Sequence, residues 1–218
     1  MILRDIYLYF NELHFPLGTN LPRDTESRWL CNYLERKIQS PRFATENFRR
    51  FIVCGMEGPL PDCHLVDTGV LTVFVPFFLK EYRSLSKSEI PEYYIGLLEA
   101  GFAKCNKQYP LPMDRLREGI EEFRAGGYVN QWTWKKKVVK ELGIKVAFDC
   151  EMTIDRFTMQ LNVYRQNELV LTDPVFEFPP DEIIFGSRMK RLEIDGSEVR
   201  ILKTSGNPSY HIDLAGQV

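Results

Sequence analysis

Asp149, Glu151 and Asp155 place three carboxylates close together in the sequence. Neighbouring carboxylates can hold a divalent cation or divide the roles of acid and base, which is the chemistry of a metal-dependent hydrolase. The same residue types are what the outer face of a solvated sheet carries, and no lysine or histidine stands beside the cluster to complete a catalytic set. Asp181 and Glu182, after Pro179 and Pro180, form a second acidic pair of the same ambiguous kind.

Cys54, Cys63 and His64 are the nearest approach to a metal site, separated by the turn-rich stretch from Gly55 to Asp62. A structural zinc site takes four Cys or His ligands, commonly in paired C-x-x-C knuckles, and these are lacking, so the residues read as core thiols beside a surface histidine. A cysteine nucleophile served by His14, His64 or His211 has no recognisable sequence context. Glycine-rich phosphate loops, the G-x-S-x-G elbow and H-E-x-x-H are absent, which removes the commonest nucleotide, hydrolase and metalloprotease readings and leaves no cofactor expected.

Trp132-Thr133-Trp134-Lys135-Lys136-Lys137 is where aromatics meet a positive run. Such a run can stack bases and hold phosphates, or it can be an edge strand guarded by lysines. The whole chain carries 28 Lys and Arg against 30 Asp and Glu, net charge -2, so no bulk field recruits nucleic acid or an anionic membrane, and the edge-strand reading is preferred. The start of the sequence meets charge at once, and the Cys count of 5 is odd, so the sequence predicts reduced thiols and a cytoplasmic location with no membrane segment.

These residues need elements to position them. Ile2 to Phe15 reads as a strand, followed by a loop from Pro16 to Pro22. A helix capped by Asp24 or Thr25 carries Trp29, Leu30, Tyr33, Leu34 and Ile38 at helical spacing. Phe48 to Cys54 and Leu65 to Phe78 read as strands. Helices are predicted from Ser88 to Asn106 and from Met113 to Ala125, the second ending at Gly126-Gly127. Beyond that point the period changes to two. Val146, Phe148, Cys150, Met152 and Ile154 face one way, and Phe157, Met159, Leu161 and Val163 answer them while Thr158, Gln160 and Asn162 face outward. Leu169 to Phe178 adds a third strand, Asp195-Gly196 signals a hairpin, and Tyr210 to Leu214 alternates again.

The fold expected is α+β: an antiparallel C-terminal meander with helices packed on one face. It is read as a single domain over residues 1–218, the alternative being a helix-rich half 1–127 and a β-rich half 128–218. Missing catalytic signatures and a surface rich in Tyr and Trp favour a protein-binding role over an enzyme. The expectation is an immunity-type bacterial protein that neutralises a cognate toxin by direct binding. Its contact residues would be Trp132, Trp134, Asp149, Glu151 and Glu177: acids to complement a basic cleft, tryptophans as buried anchors. The alternative is the metal-dependent hydrolase using Asp149, Glu151 and Asp155.

Overall fold

The computed structural model of the chain describes residues 1–10, 12, 15 and 19–217. His14 and the Pro16–Gly18 part of the expected loop lie outside the described residues. The chain forms two compact units, Met1–Tyr128 and Val129–Val218. The α+β class holds, with an antiparallel meander in the C-terminal part and helices packed against a sheet.

In the first unit, β1 (Asp5–Phe10), β2 (Arg50–Met56) and β4 (Val70–Pro76) run parallel in the order β1-β2-β4, and the short β3 (His64–Val66) closes the sheet antiparallel to β4. The helix α1 (Arg28–Ile38) makes the crossover between β1 and β2, which a parallel pair requires. The apolar residues Ile6, Leu8, Phe51, Val53, Leu71 and Val73 share one face through this register and are buried. The helix α3 (Ile90–Cys105) covers them: Phe102 lies 5.5 Å from Phe51 between ring centroids, and Gly101 sits where a side chain would strike Val53. The single long strand expected from Leu65 to Phe78 is instead a hairpin, because the turn at Asp67-Thr68-Gly69, with Gly69 at φ 79°, folds β3 back on β4.

Ser27, Arg28 and Glu35 hold α1 to β1. Arg28 is 5% exposed and donates to the Ile6 carbonyl at 2.7 Å and to both Glu35 carboxylate oxygens, while Glu35 accepts from the Ile6 amide at 2.8 Å. Ser27 Oγ donates to the Leu8 carbonyl at 2.7 Å. A 3-10 turn over Asp24–Ser27 precedes the helix, so neither Asp24 nor Thr25 serves as its N-cap. The short α2 (Leu79–Ser84) leads into α3, which begins one residue later than the Ser88 cap predicts; there Glu89 reaches back to the amide of Ser86 at 2.8 Å. The helix α4 (Met113–Ala125) packs on α1 and ends as its glycines predict, with Gly127 at φ 68° and the Tyr128 amide bonded to the Phe123 carbonyl at 2.8 Å.

The second unit stacks two sheets. Strands β5 (Asn130–Val139), β6 (Ile144–Met152), β7 (Phe157–Arg165) and β8 (Glu168–Phe178) form an antiparallel meander in that order. The short helix α5 (Glu182–Gly186) follows, and then β9 (Arg191–Asp195), β10 (Glu198–Leu202) and β11 (Pro208–Asp213) form a second sheet with β10 at its centre. The apolar face of the meander, built from Phe148, Cys150, Met152, Phe157, Met159 and Leu161, meets Phe185 and Tyr210. The Phe185 ring stacks on Phe157 at 3.8 Å, and Tyr210 donates across to Asp173 at 2.7 Å.

Candidate functional site

With one face of the meander committed to the core, the alternation of β6 and β7 turns every second side chain outward. The outward residues line up in rungs. Gln131, Glu151, Thr158 and Glu177 form one rung across all four strands, and Thr133, Asp149 and Gln160 form the next. They line an open depression of about 640 Å³, bordered at the β6–β7 turn by Arg156. Gln131, Arg156, Gln160 and Glu177 are exposed, and Thr133, Asp149, Glu151 and Thr158 are half-buried.

The acids of this face are held by fixed donors. Thr133 Oγ1 donates to Asp149 Oδ1 at 2.5 Å, Asn162 Nδ2 donates to Asp149 Oδ2 at 2.8 Å, and Thr172 Oγ1 donates to Asn162 Oδ1 at 2.9 Å. A continuous line of hydrogen bonds thus runs from β8 to β5 through Asp149. Such a line stiffens the sheet and uses both oxygens of that carboxylate as structural acceptors. Glu151 accepts from Gln131 Nε2 at 2.5 Å, which pins the carboxylate over the first strand pair. The result is an open, hydrogen-bonding surface carrying three acids, suited to receive cationic and amide groups.

The structure brings Asp149, Glu151 and Glu177 together on this face, with Trp132 also bordering the depression and Trp134 outside its lining. Trp132 is opposite Cys150 in the register, and its ring lies 5.9 Å from Phe157. The pairing slips between Thr133 and Lys135, leaving Trp134 as an extra residue in β5, and its ring packs edge-on against Phe148 at 6.1 Å. Both tryptophans are half-buried. Lys135, Lys136 and Lys137 are exposed on β5, which is an edge strand of its sheet.

Asp155 lies in the β6–β7 turn, where its amide donates to Thr153 Oγ1 at 3.3 Å, and it does not line the depression. Among the described residues no three His, Cys, Asp or Glu side chains come close enough to hold a metal ion. Cys54 is buried opposite Tyr9, on the sheet face turned away from Val53. His64 is exposed on β3 opposite Thr72, two strands from Cys54, and Cys63 meets Cys105 instead. The residues that sequence reasoning left out of the site are Gln131, Thr133, Arg156, Thr158, Gln160 and Asn162. Three of them stand at outward positions of β7 that the period of two marks, but hydroxyls and amides carry no chemical signature that would single them out.

No protein-family model, curated protein or solved structure matches the chain.

Proposed function

We propose that this chain is a binding protein that docks a protein partner on the polar face of the β5–β8 meander, and that the partner is a cognate toxin it neutralises. The observation that carries the reading is the rung in which Glu151 and Glu177 flank Thr158 on an open sheet surface. Two acids on a rigid backbone, with amide and hydroxyl groups between them, are complementary to a basic surface such as the cleft of a nuclease. A stiff, preformed face loses little entropy on docking, which favours tight association. The toxin reading rests on an association by class of protein. A cytoplasmic location fits the same reading, since the antidote of a delivered toxin acts where the toxin does.

The competing reading, a hydrolase built on Asp149, Glu151 and Asp155, gains no support from the geometry. Asp149 is engaged on both oxygens by Thr133 and Asn162, and Asp155 stands apart in the turn.

The test is to mix the purified chain with the purified product of the neighbouring gene and follow the pair by size-exclusion chromatography with light scattering. A one-to-one complex that abolishes the toxicity of that product supports the reading. Separate elution, with toxicity unchanged, overturns it.

A further inference from the structure

Cys63 and Cys105 are brought together by two elements far apart in sequence. Cys63 directly precedes β3, one residue before the His64–Thr72 pair beside which Val73 follows in β4. A side chain at Gly101 would meet Val73, and Cys105 follows Gly101 by one helical turn on the same side of α3. Lys104 fastens the junction: its Nζ donates to the Pro61 carbonyl at 2.7 Å and to the Phe74 carbonyl at 3.1 Å. Cys63 lies beside Cys105 and adds to the rise in its thiol pKa; Cys105 is fully buried and Cys63 is partly open to solvent.

We propose that Cys63 and Cys105 are a redox modification site, closing to a reversible disulfide that locks the 57–63 loop to the end of α3. The oxidant is a low-molecular-weight disulfide. The Cys63 thiolate attacks one of its sulfurs, the first small thiol leaves, and a mixed disulfide remains on Cys63. Cys105 gives up its proton and attacks the Cys63 sulfur, and the second small thiol leaves. One small disulfide is consumed and two small thiols are released for each protein disulfide formed.

Exposure sets the order of the two steps, since only Cys63 can meet a partner in solution. Burial, reinforced by the neighbouring Cys63, pushes the Cys105 thiol up to about 12, so it is a poor nucleophile towards anything but a sulfur already delivered beside it. Cys31, Cys54 and Cys150 are buried and lie on other elements, so they do not compete.

The full-length chain is incubated with oxidised glutathione, quenched in acid, alkylated after denaturation and mapped by mass spectrometry. The expected result is a peptide pair cross-linked through Cys63 and Cys105, two hydrogens lighter, that reopens with reduced glutathione. Cys105→Ser should hold glutathione on Cys63, and Cys63→Ser should leave Cys105 unmodified. Glutathione that stays on Cys63 of the unsubstituted chain, or full alkylation of both thiols, overturns the proposal.

Discussion

Glu151 and Glu177 stand on either side of Thr158 in a single rung of the meander, one strand to the left and one to the right. Strand spacing puts their backbones roughly 10 Å apart, a gap wide enough for a cationic side chain to enter between them. Neither acid supports the fold through an ion pair with a buried partner, so their charge is available to a ligand.

Reversing both charges, Glu151→Lys with Glu177→Lys, should therefore leave the fold nearly untouched while removing the partner. The exposed Glu177 should contribute about 0.5 kcal/mol or less, and the half-buried Glu151, which gives up its bond from Gln131, about 1 kcal/mol. Affinity for a basic partner should fall by at least about tenfold, the equivalent of roughly 1.4 kcal/mol. Thermal melts and calorimetric titration of the two proteins check the two halves separately; an unchanged affinity would place the contact elsewhere.

Glu35→Ala should be among the most damaging single substitutions in the first unit. It strips the partner from Arg28, whose side chain is 6% exposed, and it frees the Ile6 amide. Breaking a buried pair from one side costs about 3–5 kcal/mol. Urea unfolding of Glu35→Ala against the parent measures it, and a loss under about 1 kcal/mol, the range of an exposed pair, would show that water reaches Arg28.

Two glycines on the same helix should respond in opposite directions. A Cβ at Gly101 would come within 2.6 Å of Val53 Cγ2, whereas one at Gly96 would meet nothing within 4 Å. Gly101→Ala should destabilise by about 1–3 kcal/mol through overpacking. Gly96→Ala should stabilise by about 0.5–1 kcal/mol by lowering the entropy of the unfolded helix segment. Melting temperatures moving the same way in both would mean that α3 does not press on β2 as described.

Stability should fall on the alkaline side from about pH 10 upward, where unfolded tyrosines ionise. Burial raises Tyr82 to about 12 and lifts Tyr94 and Tyr210 further, with Glu26 beside the first two and Asp173 beside the third adding to the shift. A phenol with a raised folded-state value keeps its proton when the unfolded chain has lost it, so its contribution is complete below pH 10 and disappears above. Ultraviolet titration should show these phenols ionising only together with loss of the fold. Smooth ionisation of every tyrosine near pH 10 in the folded chain would contradict the burial described.

Local periodicity made the C-terminal meander readable. Val146, Phe148, Cys150 and Met152 alternate without interruption, and the structure buries all four. The sides of β5 were not readable, since they depend on where the strand pairs with β6. That register passes through a 3-10 turn at Lys140–Leu142 and the left-handed Gly143, and the extra residue at Trp134 appears only once the strands are paired. Cys54, Cys63 and His64 illustrate the same limit. Nearness in sequence suggests a cluster, but the chain places Cys54 inside β2, Cys63 in the loop before β3 and His64 on β3, two strands away.

The hydrogen bonds from Ser27, Arg28 and Glu35 to Ile6 and Leu8 also decide what β1 can do in company. As the outermost strand of its sheet, it would otherwise offer free amides and carbonyls to any extended chain that drifted past. With the amide and carbonyl of Ile6 and the carbonyl of Leu8 already engaged by α1, that flank no longer templates growth. The contacts that hold the first helix in place thus also take up backbone groups that an added strand would need.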